Sequence, residues 1–272
     1  MKYAICNETF EDWQLQQIFE FCGRLGYDGV ELAPYTFCDR VTDLDPSARR
    51  RIRDGAASCA MELPALHWLL AKTTGLHLTS PDEAVRRATA SYLVDLIDFA
   101  ADVGATRLVF GSPDQRNLLT GVDEARAWDW SRDVFRECAS AAQSKGVVFC
   151  LEALPPPESN MFTTVDDCLR MVSEVASPAF ATMIDVKSMA AEPRPIPETI
   201  DRAIKAVRYV HVNDVNRREP GSGDIDFVPI FRALKAGGYD DYVSVEVFDY
   251  SAGAQSIARK AISYLRQCDA AS

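Results

Sequence analysis

Short apolar runs alternate with longer amphipathic segments along the whole chain. Between Leu15 and Leu25, apolar residues recur every three or four positions, which is the spacing of one face of a helix. The runs between such segments are almost continuously apolar, as parallel strands covered on both faces must be. Eight such runs predict strands at residues 2–6, 29–33, 63–69, 106–111, 147–153, 180–186, 207–213 and 242–248.

Helix boundaries are marked by glycines and by capping residues. Gly26, Gly104 and Gly146 each stand between an amphipathic segment and the next apolar run, where a left-handed cap favours glycine. The segment Ser80-Pro81-Asp82-Glu83 predicts a capping box with proline at the first helical position, and Thr164 begins a similar signal. These signals predict that a helix follows each strand.

Eight strand–helix units in 272 residues predict one (β/α)8 barrel, a TIM barrel, that spans residues 1–272. This fold typically needs about 250 residues. A doubly wound sheet is the alternative, and it would be expected to carry a glycine-rich phosphate turn after the first strand. The chain has Asn7-Glu8-Thr9-Phe10 there, and no Pro-, Gly- or Ser-rich linker divides it. The pattern therefore favours a single barrel domain.

Composition excludes several classes of partner. The 29 Lys and Arg against 40 Asp and Glu give a net charge of −11, which argues against a protein that grips nucleic-acid phosphates. No segment reaches the roughly 20 continuous apolar residues of a membrane span. The eight cysteines are scattered without a CxxC pair, and several stand in apolar strand or helix segments, as is typical of reduced cysteines in a protein core. We therefore expect a cytoplasmic protein without disulfides that binds neither nucleic acid nor membranes.

The last four predicted strands each carry an ionisable residue near the carboxyl end. These residues are Glu152, Asp185, His211 and Glu246. Active sites of such barrels lie at the carboxyl ends of the strands, and a buried charge is costly unless it is paired or binds a metal. One such residue more often forms a salt bridge or a helix cap, but four on adjacent strands favour a metal centre. Three carboxylates and one imidazole favour Mn²⁺, Mg²⁺ or Co²⁺.

Loops above the barrel supply candidates for substrate binding. Glu158 follows Glu152 by six residues, and Arg217 follows His211 by six. The Arg217 guanidinium could hold a substrate oxygen, carboxylate or phosphate by a forked hydrogen bond, or form a surface salt bridge with Glu219. Further pocket candidates, for which core packing is the alternative, are His67 and Glu31. Trp68 and Phe248 could line a sugar face, but for Phe248 core packing is the expected role.

Four motifs resemble the sugar phosphate isomerase/epimerase group of xylose-isomerase-like barrels, and the resemblance extends over essentially the whole chain. They are LVFGSPDQR (108–116), LEALPPPESN (151–160), HVNDVNRREPGSGDIDF (211–227) and YVSVEVF (242–248). Within the group, the chain is most similar to ketose 3-epimerases of the tagatose/allulose type. Its glycine-rich loop is also similar to that of hydroxypyruvate isomerases.

The resemblance implies one divalent metal ion bound by the Glu, Asp, His and Glu of strands five to eight. Those residues are Glu152, Asp185, His211 and Glu246, with Mn²⁺ as the expected ion and Mg²⁺, Co²⁺ or Zn²⁺ as alternatives. It also implies that Glu158 and Arg217 contact oxygens of a small sugar substrate. Members of the group are commonly dimers or tetramers, so a homo-oligomer is expected.

The chain departs from the group after the sixth strand. The group commonly has Asp-x-x-His there, and its histidine helps to hold the substrate. This chain reads Asp185-Val186-Lys187-Ser188, so Ser188 takes the place of the histidine. Ser188 can donate a hydrogen bond but cannot act as an imidazole or a cation, so the substrate is expected to depart from the standard ketoses.

These observations together predict a metal-dependent isomerase or epimerase of a sugar or keto-sugar. Glu152 and Glu246 would face opposite sides of a carbon next to a carbonyl, where one removes a proton and the other returns it through a metal-stabilised enediolate. The same enolate chemistry also allows a dehydratase or lyase. A partner-dependent or non-catalytic barrel subunit is a further alternative. An apurinic-endonuclease-like barrel is disfavoured, because its multinuclear zinc site needs more histidines than the three in this chain.

Overall fold

Eight parallel strands form the sheet in the computed structural model, which describes residues 1–272. The strands are β1 (Lys2–Cys6), β2 (Gly29–Glu31), β3 (Ala65–Leu66), β4 (Arg107–Phe110), β5 (Val148–Leu151), β6 (Phe180–Asp185), β7 (Val207–Val212) and β8 (Tyr242–Val245). Their order is β2-β1-β8-β7-β6-β5-β4-β3, and isolated parallel bridges Gly29–Glu62 and Leu32–Leu66 join the two edges. The predicted (β/α)8 barrel is therefore confirmed.

Ten α-helices surround the barrel. They are α1 (Leu15–Leu25), α2 (Pro46–Ser58), α3 (Glu83–Val103), α4 (Pro113–Arg116), α5 (Glu124–Lys145), α6 (Val165–Val175), α7 (Val186–Ala190), α8 (Ile196–Ala203), α9 (Phe227–Ala236) and α10 (Ala254–Ala271). No helix has both the length and the apolar character that crossing a membrane requires.

The predicted helix signals are confirmed at most positions. Gly26, Gly104 and Gly146 cap their helices with φ values of 84°, 86° and 70°, a region that favours glycine. Thr164 and Asp167 form the predicted capping box through reciprocal side-chain bonds to backbone N–H groups.

The predicted capping box at Ser80 is wrong. Helix α3 begins at Glu83, and its N-terminal cap is Asp82, whose carboxylate accepts a hydrogen bond from the N–H of Ala84. The Ser80 hydroxyl instead accepts from the N–H of Asp82 and so stabilises the turn that leads into the helix.

The third strand is shorter than predicted, whereas the other strands lie within their predicted ranges. Only Ala65 and Leu66 pair with β4. Pro64 precedes them and has no N–H to donate to a neighbouring strand. Trp68 follows with φ of 51°, which turns the chain out of the extended conformation. Pro64 and Trp68 thus limit β3 to the two paired residues Ala65 and Leu66.

Side chains that alternate along the strands create an inner layer inside the barrel. The apolar members of this layer are Ala4, Ala65, Val109, Cys150, Ala181, Met183, Tyr209 and Tyr242. Because the side-chain period of a strand is two, the next inward positions after Cys150, Met183 and Tyr209 are occupied by ionisable residues. The barrel therefore changes from apolar to charged toward the carboxyl ends of its strands.

Candidate metal centre and active site

The structure brings Glu152, Asp185, His211 and Glu246 together at the carboxyl ends of β5 to β8. One donor atom from each residue lies within 4.8 Å of the donor atoms of the others, and all four side chains are buried. Asp185 and His211 are register partners in the β6–β7 ladder, which sets them side by side. The predicted metal-binding set therefore forms one cluster.

His211 connects this cluster to a layer below it. Its Nε2 lies 3.0 and 3.1 Å from the two carboxylate oxygens of Glu31, so this nitrogen carries a proton. Its Nδ1 faces Glu246 Oε2 at 3.1 Å and Glu152 Oε1 at 3.9 Å. Nδ1 and Glu246 Oε2 are buried and have no hydrogen-bond partner.

These two unpartnered atoms fit a divalent cation. Buried polar atoms in proteins are normally paired, and an imidazole nitrogen beside carboxylate oxygens is a donor set for Mn²⁺ or a related ion. The deeper group of Cys6, Glu31, His67 and His211 also converges. Its side chains, however, are already joined by hydrogen bonds from Cys6 and His211 to Glu31. The cluster of Glu152, Asp185, His211 and Glu246 is therefore the better candidate for a metal site.

Asp185 is held in place by two hydrogen bonds. Asn213 Nδ2 donates to one carboxylate oxygen at 2.7 Å, and the N–H of Ser188 donates to the other at 2.7 Å. The amide oxygen of Asn213 in turn accepts from the N–H of Lys187 at 2.9 Å. Ser188 Oγ is buried without a partner. Asp185 is therefore oriented by the first turn of α7 and by the residue two positions after His211.

Glu152 occupies space that only a glycine leaves open. A Cβ atom at Gly111 would lie 2.3 Å from Glu152 Oε2. The buried guanidinium of Arg116 donates to the Glu152 carbonyl at 2.7 Å and to the carbonyls of Met161 and Phe162, which fixes the chain after β5. Burial raises the pKa of the Glu152 carboxyl to about 7.

The carboxylate of Glu31 lies beneath the cluster, not at the pocket surface. It accepts hydrogen bonds from His211, from the Tyr209 hydroxyl at 3.1 Å and from the Cys6 thiol at 3.3 Å. Burial opposes ionisation, but the charges of His211 and His67 outweigh it and lower the pKa of Glu31 to about 2. Glu31 thus supplies a fixed negative charge behind His211, an arrangement that orients metal-binding histidines.

His67 forms a bridge between two carboxylates. Its Nε2 lies 2.9 Å from Glu8 and its Nδ1 lies 3.2 Å from Glu246. Burial opposes protonation, yet Glu8 and Glu31 raise the pKa of His67 to about 10. With both ring nitrogens engaged, His67 lies behind Glu246, and direct contact with a substrate stays a prediction. Glu8 escaped the sequence reasoning, although it stands two positions beyond Cys6, the inward residue that ends β1.

Residues from the loops after β5 to β8 converge on the rim of the barrel mouth. Lys187 Nζ donates to Glu158 Oε1 at 2.6 Å and lies 5.2 Å from the centre of the Phe248 ring. The guanidinium carbon of Arg217 lies 5.3 Å from that same ring. The predicted alternative for Arg217, a salt bridge with Glu219, is not formed, because Arg218 takes that place at 3.8 Å.

Lys187 is the rim residue that the sequence reasoning missed. It follows Asp185 by two residues within the short helix α7, and its side chain is 9% exposed. Phe248 is partly exposed, so its predicted core role is wrong, and its ring centre lies 6.4 Å from that of Trp68. His77 lies outside the cluster, where its Nδ1 accepts from the N–H of Thr79.

Comparisons with known proteins show the family to which this fold belongs. The model of the xylose isomerase-like TIM barrel family matches residues 19–268. The D-psicose 3-epimerase of Ruminiclostridium cellulolyticum is 29% identical over 255 residues, covering 91% of this chain and 84% of that protein. The 3-dehydro-D-guloside 4-epimerase of Escherichia coli (strain K12) is 27% identical over 287 residues, covering 98% of this chain and 100% of that protein.

The solved structures give the same result for the fold. The crystal structure of D-psicose 3-epimerase with D-tagatose from Clostridium cellulolyticum H10 superposes with a TM-score of 0.87 at 22% identity, covering 99% of each chain. The resemblance inferred from the motifs is thus confirmed. The chain belongs to the xylose isomerase-like TIM barrel family.

Proposed function

We propose that the protein is a divalent-metal-dependent epimerase that inverts a hydroxyl-bearing carbon next to the carbonyl of a ketose or keto-sugar. The observation that carries this proposal is the buried cluster of Glu152, Asp185, His211 and Glu246, in which two donor atoms face each other unpartnered. The named relatives are carbohydrate epimerases. They do not favour the dehydratase, lyase or non-catalytic alternatives.

The four clustered side chains would hold the metal ion. When bound there, the ion supplies electrophilic stabilisation of negative charge that develops on substrate oxygens. We propose Mn²⁺ as the ion, on the basis of the donor set. Restoring turnover of chelator-treated protein with Mn²⁺, Mg²⁺, Co²⁺ or Zn²⁺ in turn ranks the candidates.

Glu152 and Glu246 are the proposed proton-transfer residues. They extend from β5 and β8, two strands separated by β6 and β7, so they approach a bound carbon from different sides. One carboxylate removes the proton next to the carbonyl, and the other carboxyl group returns a proton to the opposite face. His67, bonded to Glu246 at 3.2 Å, keeps that side chain in one orientation.

The rim residues are proposed to bind the substrate hydroxyls. Glu158 and Lys187 present a carboxylate and an ammonium group 2.6 Å apart, and Arg217 adds a guanidinium beside Phe248. Ser188 adds a buried hydroxyl without a partner. A homo-oligomeric assembly and a cytoplasmic location stay predictions.

Solvent deuterium incorporation tests this function. The protein is incubated with Mn²⁺ in D₂O with ketoses, ketose phosphates, hydroxypyruvate and keto-sugars, and each sugar is examined by mass spectrometry and NMR. We expect deuterium at one carbon of one substrate, together with its epimer.

The matched variants assign the chemistry. Glu152→Gln should remove both deuterium uptake and epimer formation with the fold intact. Glu62→Gln alters an exposed carboxylate at the amino-terminal end of the barrel and should leave both unchanged. Full activity of Glu152→Gln, or loss of water from the substrate in place of epimerisation, would refute the proposal.

A further inference from the structure

A large cavity opens beside the proposed metal centre, and none of the four clustered residues lines it. Its volume is about 1350 Å³. Residues that follow β8, β1, β2, β3 and β4 line its inner part, so it lies at the same mouth of the barrel as the cluster on β5 to β8. It continues outward to Phe19 on α1 and Ile52 on α2.

The cavity borders the reacting region directly. Glu8 lines it and bonds through His67 to Glu246, a proposed proton-transfer residue. Trp68 also lines it, and its ring centre lies 6.4 Å from that of Phe248. The Phe248 ring in turn lies beside the charged groups of Lys187 and Arg217 on the rim. A sugar held at the metal centre therefore has room for a substituent in this cavity.

The volume exceeds what a free sugar can use. Pockets for drug-sized ligands typically measure about 300–1,000 Å³, and a hexose is smaller than most such ligands. A free hexose at the metal centre would leave most of the cavity to water. The size therefore indicates a substrate with a second bulky group.

The lining indicates the chemistry of that group. Twelve of the 25 lining residues are hydrophobic, and the aromatic members include Phe10, Trp13, Tyr35, Phe37, Trp68 and Tyr250. Gln14, Gln16 and Gln115 add amide donors and acceptors. Flat apolar rings next to amides suit a second sugar ring, because such a ring has C–H faces to stack on aromatic rings and hydroxyls to bond to amides.

The charges of the lining exclude an anionic group. Its carboxylates come from Glu8, Glu11, Asp12 and Asp114, whereas its cations come only from Arg51 and Lys72. The ammonium of Lys72 already lies 4.5 Å from the centre of the Tyr35 ring. A phosphate would be repelled by the excess of negative charge, so the second group is neither a phosphate nor a carboxylate.

We propose that the substrate is a keto-sugar that carries a neutral glycosyl substituent, with the reacting carbonyl at the metal centre and the second ring in this cavity. The proposal rests on the proposed epimerase function and names its substrate class. Free monosaccharides and sugar phosphates are then poorer substrates than keto-disaccharides.

Matched pairs of substrates test the proposal. The Mn²⁺-loaded protein is assayed with maltulose against fructose and fructose 6-phosphate, and with 3-keto-maltose against 3-keto-glucose. Because binding of a remote group promotes the chemical step, kcat/KM for the glycosylated member of one pair should be at least about tenfold higher. Equal values in both pairs, or preference for the phosphate, would overturn the proposal.

Two variants connect the preference to the cavity. Ala48→Trp adds bulk at a partly exposed position of α2 that lines the cavity, and Trp13→Ala removes a stacking surface. Each should lower the preference for the glycosylated sugar about tenfold. An unchanged preference in both variants would assign the second ring elsewhere and refute this placement.

A binding readout separates this inference from the proposed function. Calorimetric titration of Glu152→Gln with each sugar needs no turnover. The glutamine amide oxygen can still bind Mn²⁺, and metal analysis of the variant verifies that it is loaded. Tighter binding of the glycosylated sugars with no turnover by the unmodified protein would uphold the cavity and refute the epimerase function. Turnover of free ketoses with equal binding of both sugar classes would do the reverse.

Discussion

Replacement of Glu31 by glutamine isolates the charge that lies behind His211, the proposed metal-binding histidine. Glu31 is fully buried and accepts hydrogen bonds from His211 Nε2, Tyr209 and Cys6. Glutamine has nearly the same shape and can still accept from His211, so Glu31→Gln removes the negative charge and keeps the hydrogen bond. It should therefore weaken metal binding without reaching the substrate.

The magnitude follows from the bond that is changed. A hydrogen bond to a charged group contributes about 1.5–3 kcal/mol and one between neutral groups about 0.5–1.5 kcal/mol, so the loss is about 1–1.5 kcal/mol. This corresponds to about a tenfold weaker Kd for the metal, at the lower end of the 10–100-fold range for such partners. Glu31→Ala also leaves the His211 N–H unpaired, so it should lie nearer to the upper end.

The assay is a calorimetric titration with Mn²⁺ at about pH 8, where protons compete least for the ligands. Glu62→Gln is the control, because Glu62 is an exposed carboxylate that pairs with Lys2 at the opposite end of the barrel. At saturating Mn²⁺, kcat of Glu31→Gln should approach that of the unmodified protein. A Kd for Glu31→Gln within about twofold of the unmodified protein would refute the reasoning.

Three further predictions concern the cluster and its rim. Metal affinity should rise as pH increases through about 7, because burial raises the pKa of Glu152 to about 7. The pKa of His211 is also raised, so below that pH the metal must displace protons from both side chains. Mn²⁺ titrations that give one affinity from about pH 6 to about pH 8 would contradict this. Gly111→Ala should displace the Glu152 carboxylate and lower Mn²⁺ affinity at least about tenfold, since the new Cβ would lie 2.3 Å from Glu152 Oε2. Unchanged Mn²⁺ affinity in the folded variant would contradict this and show that the carboxylate has room to move. Lys187→Met should raise the sugar KM about tenfold with Mn²⁺ affinity unchanged, because it removes a charged donor beside Glu158. Lys187→Arg is the control that keeps the charge, and an equal KM in both variants would exclude a role for the charge.

The barrel and the four clustered residues could be predicted because both depend on local pattern. Alternating strands and helices, closed by glycine caps, define the (β/α)8 order along the chain. Glu152, Asp185 and His211 each stand two positions beyond an inward apolar residue, so the period of the strand alone directs them to the barrel mouth.

The surroundings of the cluster could not be predicted, because they depend on closure of the barrel. Glu31 and His211 are 180 residues apart in sequence, and Glu246 and His67 are 179 apart. No local period relates such positions. Glu8 was missed for the same reason, since only the packing of β1 against β8 brings it near Glu246.

The sequence by itself determined the order of the elements, the inward direction of the proposed metal-binding side chains and the presence of Ser188 in place of the expected histidine. Only the tertiary structure decided that Lys187 meets Glu158, that Glu31 lies under His211 and that a wide cavity adjoins the site. The physical reason is that backbone periodicity is a property of neighbouring residues. Side-chain contacts across the mouth and the space left between them arise only when distant strands and loops pack together.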